Sequence, residues 1–210
     1  MHFHIVTLFP GAFKSYLGES ILKRAIADKK IKVSFYNPRD FAENKWKRVD
    51  RPPYGGGPGL VIEAMPVIKA IERTFRKNSK IIFLSPSGKQ FTNEYARRIA
   101  KKYKNIILVS GRYEGIDARV RKVFKMEEVS VGPYVLTGGE LPAVIIMDAI
   151  SRQVPGVLGN IESLEEHRVS SSEVYTRPEK FKYKGKIYTV PKILLSGHRA
   201  KIEEWKKKRK

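Results

Sequence analysis

The 210-residue sequence predicts an α/β protein built on a mostly parallel sheet. Short apolar runs typical of buried strands alternate with longer segments of helical periodicity along most of the chain. Such alternation is typical of parallel sheets that are covered by helices on both faces. Three of the strand candidates are followed by glycine-containing loops, and parallel strands bring such loops to one edge of the sheet. The sequence therefore predicts a ligand site at that edge.

The first part of the chain is expected to contain two strands, two helices and a long loop. Residues 2–7 and 31–36 have the composition of strands, and residues 19–29 have apolar side chains at helical spacing. Residues 37–59 lack apolar periodicity and end in PPYGGGPG, which predicts a long loop that is either functional or disordered. A helix is expected over residues 65–76.

The middle of the chain repeats the alternation of strands and helices three times. Thr92 precedes the first of these helices and is a candidate N-cap. The last helix is strongly apolar and follows a loop rich in glycine. The expected strands are residues 80–84, 105–109 and 126–131, and the expected helices are residues 92–103, 116–124 and 141–150.

Three loops follow strands and carry the sequences SPSG (residues 85–88), SGRYEG (110–115) and GPYVLTGG (132–139). Glycine lets the backbone approach a ligand closely, and a flexible loop that leads into a buried helix is a common small-ligand site in α/β proteins. Each loop alone is equally typical of an ordinary strand-to-helix turn. Together, at one sheet edge, the three loops favour a ligand site.

The net charge of +21 (42 basic minus 21 acidic residues) predicts a polyanionic partner. Such a field attracts nucleic acid through its phosphates, although general solubility and adaptation to high temperature or to a host are alternative explanations. Cysteine is absent, which excludes disulfides and thiolate chemistry. No apolar run of about 18 residues is present, and the N-terminus is typical of a strand rather than a signal peptide. We therefore expect a cytoplasmic protein without a membrane partner.

Three regions are expected along the chain: a domain over residues 1–160, a flexible polar linker over 161–175, and a small C-terminal subdomain over 176–210. The subdomain should contain a hairpin at residues 181–190 and a final helix from Leu194 through Trp205, before the basic tail KKKRK. The glycine-rich segments match neither a dinucleotide fingerprint nor a P-loop. The four histidines lack metal-ligand spacing, so no metal site is predicted, and His2 and His4 are expected to be structural or exposed.

Seven motifs occur in order: PYGGGPG, LSPSG, SGRYEGIDARV, SVGPYVLTGGELPAV, SRQVPGVLGN, YTRPE and LLSGH. In them the chain closely resembles the bacterial tRNA (guanine-N(1)-)-methyltransferases of the trefoil-knot (SPOUT) class, along nearly its whole length. The resemblance implies a knot around residues 131–139 that binds S-adenosyl-L-methionine. It also implies a homodimer with the active site at the subunit interface, Mg²⁺ as a possible helper, and methylation of the tRNA guanine just 3′ of the anticodon, at position 37.

The resemblance also assigns site residues. Arg152 is expected to contact the target guanine or its O6, and Glu114 to orient the cofactor, the guanine or a cation. The RNA contacts are expected to include Arg152, Arg177, His198, Lys206, Lys207 and Lys208. The cofactor positions are Leu84, Ser85, Pro86, Gly111, Tyr113, Val131, Gly132, Pro133, Tyr134, Val135, Leu136, Gly138 and Gly139.

The general base is where the chain departs from the family pattern, which has an aspartate in the linker. His167 stands at that position, and its side chain suits a base near neutral pH. Glu166 or Glu173 could supply a carboxylate instead. Pro133 replaces another common aspartate, and the C-terminal region is expected to be shorter than in the family, with the basic tail in compensation. These departures leave two alternatives open, a knot-class methyltransferase for another RNA and an RNA-binding relative that has lost catalysis.

Overall fold

The structure is a computed structural model that describes residues 1–74, 76, 78–159 and 173–208. The chain divides into two compact units, Met1–Leu158 and Gly159–Lys210. The predicted linker falls largely on residues 161–172, which lie outside the described residues, so the predicted domain boundaries stay a prediction. In the described part of the chain, no helix has both the length and the apolar character needed to cross a membrane.

The first unit is built on a five-stranded, fully parallel sheet with the strand order β2-β1-β6-β5-β7. A separate two-stranded antiparallel ribbon joins β3 to β4. The strands are β1 His2–Val6, β2 Lys32–Tyr36, β3 Asp50–Arg51, β4 Val61–Ile62, β5 Ser79–Gln90, β6 Asn105–Val109 and β7 Glu127–Ser130. The helices are α1 Lys14–Leu17, α2 Ser20–Ala27, α3 Ala64–Thr74, α4 Asn93–Lys102, α5 Arg119–Val123 and α6 Glu140–Ser151.

Helices cover both faces of the sheet, as the alternation of strands and helices predicts. In β6, Ile106 and Leu108 pack against α2, α4 and α6, whereas Ile107 and Val109 pack against α3 and α5. A strand that is buried on both faces must be apolar at every position, which explains the unbroken apolar run of β6. Thr92 caps α4 as expected, because its hydroxyl accepts a hydrogen bond from the backbone N–H of Tyr95 at 3.1 Å.

Several elements differ from the sequence-based expectation. The loop over residues 37–59 contains a 3-10 helix, Pro38–Phe41, and the strand β3. Strand β5 continues to Gln90 with a register shift between Leu84 and Lys89, so it includes the SPSG loop instead of ending before it. The polar residues of that loop gave no strand signal because their side chains are largely exposed. The knot around residues 131–139 stays a prediction.

The second unit contains, within residues 173–208, an antiparallel hairpin and two short helices. The hairpin consists of β8 Lys180–Tyr183 and β9 Lys186–Thr189, close to the predicted bounds. The expected single helix from Leu194 through Trp205 is wrong, because α7 Lys192–Leu195 and α8 Arg199–Lys207 are separate. Gly197 has a φ of +71° between them, a conformation that ends a right-handed helix.

The burial of His2 and His4 predicts a loss of stability in mild acid. Their rings lie 3.8 Å apart between centroids, and His2 shares a 2.9 Å hydrogen bond with Ser34. Burial, with smaller effects from His4 and Lys32, lowers the pKa of His2 to about 4, and burial also lowers the pKa of His4.

An unfolded histidine has a pKa of about 6.5, so between that pH and pH 4 the unfolded state binds more protons than the folded state. The free energy of unfolding should therefore fall as the pH is lowered through this window. Urea unfolding at pH 7 and pH 5 measures the decline, which should be smaller in the double variant His2→Asn/His4→Asn. An equal decline in both proteins would contradict this origin.

Candidate functional site

A pocket of about 450 Å³ lies at the carboxyl ends of β6 and β7, beside the register shift in β5. Its walls come from the three glycine-containing loops, at the sheet edge where the sequence predicts a ligand site. Glu114 also lines it. The predicted cofactor positions that line the pocket are Leu84, Ser85, Pro86, Gly111, Tyr113, Val131, Tyr134, Val135, Leu136, Gly138 and Gly139. Gly132 and Pro133 do not line it.

Gly132 supports the pocket from behind instead of lining it. It is buried, and a Cβ at this position would lie 2.3 Å from the ring of Tyr134, which does line the pocket. The Ser130 hydroxyl donates to the Gly132 carbonyl at 2.9 Å. The absence of a side chain at Gly132 therefore lets the Tyr134 ring lie close to the loop backbone. Pro133 is exposed beside it.

Gly139 joins the last glycine loop to the loop that follows β6. Its backbone N–H donates to the Gly111 carbonyl at 2.9 Å, and its carbonyl accepts from the Ser110 hydroxyl at 3.2 Å. A Cβ on Gly139 would lie 2.7 Å from Ser110 Cα, which is backbone and has no room to move. The close approach of the two loops therefore requires glycine at this position.

Replacing Gly139 should open the pocket, and Gly11 offers a control outside the pocket. We expect Gly139→Ala to weaken cofactor binding about tenfold, because the loop must shift away from Ser110. Gly11→Ala adds the same methyl group at a position where no other atom lies within 4 Å. Calorimetric titration of both variants with S-adenosyl-L-methionine makes the comparison. Equal affinities would show that the loop contact does not shape the pocket.

Arg112 and Glu140 form a mostly buried ion pair that sequence reasoning missed. Their Nε and Oε2 atoms are 2.8 Å apart, with exposed side-chain fractions of 27% and 5%. Their geometry is that of an ion pair and not of a hydrogen bond. Neither atom has a hydrogen-bond partner among the described residues. The other oxygen of Glu140 accepts from the Thr7 hydroxyl at 2.8 Å, and Arg112 also donates to the Thr137 carbonyl at 3.3 Å. The ion pair thus ties the ends of β1 and β6 to the start of α6.

A second ion pair lines the pocket, between Arg121 Nη1 and Glu128 Oε2 at 2.8 Å. The Arg121 guanidinium also lies 5.4 Å from the ring centroid of Phe83, which lines the same wall. The sequence did not predict a site role for either residue, because a single charged residue on a short helix or strand is typical of an ordinary exposed position. The pocket therefore combines backbone, apolar and charged groups.

Glu114 connects the pocket to the glycine-rich segment before β4. Its backbone N–H donates to the Leu60 carbonyl at 3.0 Å, and a Cβ on Gly59 would lie 2.5 Å from its carboxylate. Gly59 has a φ of +79°, so it is suited to glycine by conformation as well as by contact. The Glu114 side chain is exposed at the pocket wall. The last glycine of PYGGGPG therefore lies beside the predicted ligand site.

Arg152 lies at the C-terminal end of α6 and does not line the pocket. It is half-buried, and its backbone N–H donates to the Asp148 carbonyl at 3.1 Å. The Asp148 carboxylate, one turn earlier, accepts a hydrogen bond from the Tyr16 hydroxyl. Among the described residues, no ion pair or side-chain hydrogen bond engages the Arg152 guanidinium, which leaves it available to a ligand.

The remaining predicted residues lie in the second unit or outside the described residues. His167 and Glu166 belong to the latter group. Glu173 accepts a hydrogen bond from Tyr175 at 2.7 Å. Arg177 is exposed, His198 is the N-cap residue of α8, Lys206 and Lys207 are in its last turn, and Lys208 pairs with Glu204 at 2.8 Å. Within the residues that the structure describes, no group of three potential ligands could hold a metal ion.

The parallel sheet and the pocket at its carboxyl edge define an α/β protein with a pocket formed by glycine-containing loops. A family model described as "tRNA (Guanine-1)-methyltransferase TrmD" matches residues 1–210, and the chain belongs to this family.

Proteins named tRNA (guanine-N(1)-)-methyltransferase are similar to this chain over nearly its whole length. The protein from Clostridioides difficile (strain 630) is 44% identical over 99% of this chain and 91% of its own length. The protein from Thermomicrobium roseum is 46% identical over 99% of this chain and 78% of its own length. The protein from Campylobacter jejuni subsp. doylei is 45% identical over 98% of this chain and 90% of its own length.

Proposed function

We propose that this protein transfers a methyl group from S-adenosyl-L-methionine to N1 of the guanine at position 37 of tRNA. The observation that carries the proposal is the pocket at the sheet edge, formed by the motifs on which the family resemblance rests. Relatives that are named for this activity match over nearly the whole chain. The net charge of +21 is suited to a tRNA substrate.

The pocket suits S-adenosyl-L-methionine in size and in chemistry. Its volume lies in the range of small-ligand sites, and its loops combine backbone polar groups with the apolar side chains of Leu84, Val131 and Leu136. The bound cofactor would supply an electrophilic methyl group. Gly138 and Gly139 let the loop pack closely against Arg112 and Ser110, while Tyr113 and Tyr134 add exposed rings at the walls.

Arg152 and Glu114 have complementary roles in this proposal. Guanine N1 carries a proton, so methylation requires a base to remove it and a cation to stabilise the charge that develops on O6. Arg152 supplies that cation, since its guanidinium has no partner among the described side chains. Glu114 orients the substrate from the pocket wall. Its carboxylate would also help to hold a Mg²⁺ ion that aids the reaction.

The base is assigned to the segment that contains Glu166, His167 and Glu173, with His167 as the first candidate. A histidine base gives a rate that rises as the pH passes about 6.5, and a carboxylate base gives a rise at lower pH. A His167→Ala enzyme that keeps full single-turnover methylation would exclude His167. The variants Glu166→Gln and Glu173→Gln would then decide between the two carboxylates.

A homodimer is supported by the exposed side of α6. This helix is apolar nearly all round, a pattern that is typical of helices buried on every side. Leu141 and Ile145 nevertheless expose 62% and 43% of their surface in one protomer, on one face a single turn apart. A second copy would cover this face next to Arg152, at the end of the same helix. Sedimentation of Ile145→Glu against the wild type tests whether the face holds the dimer.

A cytoplasmic location is proposed as well, because the proposed substrate is tRNA.

The decisive experiment compares two tRNA transcripts that differ only at position 37, with guanine in one and adenine in the other. We expect transfer from labelled S-adenosyl-L-methionine to the guanine transcript alone, and N1-methylguanosine in its digest. The RNA contacts proposed in the second unit are Arg177, His198, Lys206, Lys207 and Lys208. Transfer to neither transcript, with the cofactor still bound, would assign the protein to another RNA or to a binding role.

A further inference from the structure

The hairpin of the second unit presents three aromatic rings to solvent on one face. Phe181 pairs with Tyr188 and Tyr183 pairs with Lys186, so these four side chains point to the same side of the ribbon. The rings of Phe181 and Tyr188 are stacked, with centroids 5.3 Å apart and planes at 16°. Phe181, Tyr183 and Tyr188 expose 56%, 57% and 41% of their surface. Aromatic rings held this openly form a surface for a partner.

The hairpin that carries the aromatic face is rich in lysine. Lys180, Lys182, Lys184 and Lys186 alternate with the apolar residues, and residues 180–189 contain no acidic side chain. The Nζ atom of Lys184 lies 5.5 Å from the Tyr183 ring, and that of Lys186 lies 5.5 Å from the Tyr188 ring. The hairpin therefore joins stacking surfaces to positive charges within ten residues.

The hairpin also has a fixed register, which keeps the rings on one face. Lys184 and Gly185 form its two-residue turn with φ values of +46° and +79°. Positive φ at both positions is the signature of a type I′ turn, whose twist matches that of the strands. A one-residue slip would move the rings to opposite faces. A ribbon with this turn therefore holds the aromatic face ready before a partner binds.

We propose that the aromatic face of β8 and β9 is an RNA-binding site that stacks on unpaired bases, while Lys184 and Lys186 contact the adjacent phosphates. Stacking platforms flanked by basic side chains are the usual means of binding single-stranded nucleic acid. The proposal rests on the proposed function for its partner, an RNA. Within a tRNA, the site would take bases of a loop, because paired bases have no free face.

The test separates stacking from charge. The double variant Phe181→Leu/Tyr188→Leu keeps apolar residues in the strands, and we expect it to weaken binding of a tRNA transcript about tenfold. Its salt dependence should stay that of the wild type, because no phosphate contact is lost. Lys186→Ala should reduce the slope of log Kd against log salt concentration by about one, the value expected for one lost phosphate contact. Lys182→Ala removes the same charge from the opposite face and should leave the slope nearly unchanged.

The variant Tyr188→Trp keeps the test valid even if the leucine variant loses the hairpin. We expect it to bind tRNA at least as tightly as the wild type and to add tryptophan fluorescence that RNA quenches. Unchanged affinity of the leucine variant would overturn the proposal. A changed oligomeric state in the leucine variant would also overturn it, since the face would then contact another copy of the chain. RNA affinity and quenching are measured without methyl transfer, so failure of the proposed reaction is a separate outcome.

Discussion

Replacing Arg112 by leucine should destabilise the first unit by about 3 kcal/mol and abolish cofactor binding. The change leaves Glu140, which is 5% exposed, without its counter-ion. A buried carboxylate that loses its partner is strongly destabilising, since the Thr7 hydroxyl alone cannot replace the guanidinium. The contact from Arg112 to the Thr137 carbonyl is lost as well, so the loop before Gly138 is no longer held over the pocket. Urea unfolding and cofactor titration measure the two effects.

Two matched variants establish that the buried charge causes the loss. Arg119→Leu removes an arginine from the same region, but its pair with Asp117 is largely solvent-exposed on the arginine side, at 68%. That variant should cost less than about 1 kcal/mol. The double variant Arg112→Leu/Glu140→Gln removes both charges and should recover most of the stability. A double variant as unstable as Arg112→Leu would show that packing, and not charge, explains the effect.

The sheet and the pocket edge could be predicted because their signals are local. Strand β6 is apolar at its last four positions, residues 106–109, and this pattern identifies a strand that is buried on both faces. Two of the glycine loops directly follow β6 and β7, and the third lies at the register shift of β5 between them, so a parallel sheet places the three together. The strand bounds of β6 are those predicted from the sequence. Predictions of this kind require only periodicity and the geometry of a parallel sheet.

The supporting contacts could not be predicted because they join residues far apart in sequence. The hydrogen bond from Thr7 to Glu140 spans 133 positions, and no local pattern marks either residue as a partner of Arg112. Gly132 was expected to line the pocket, but its role depends on the position of the Tyr134 ring. The break between α7 and α8 depends on one backbone angle at Gly197. Tertiary contact decides each of these features.

Replacing Arg152 by alanine should lower the single-turnover rate of methyl transfer by about 100- to 1000-fold. The expected loss is that of a cation that stabilises charge on guanine O6 in the transition state. Cofactor affinity should change less than about threefold, because Arg152 does not line the pocket. Arg152→Lys keeps the charge without the planar guanidinium and should recover only part of the rate.

The control for Arg152 is Arg97→Ala, which removes the same charge from an exposed position on α4. It should leave the methyl-transfer rate near that of the wild type, since tRNA attraction depends on the total charge of +21 and loses only one unit. Rapid-quench measurements at saturating tRNA and cofactor separate the chemical step from binding. Equal losses in both variants would assign Arg152 to general RNA attraction. A loss confined to Arg152→Ala, with both ligands bound, would place its guanidinium at the reacting guanine.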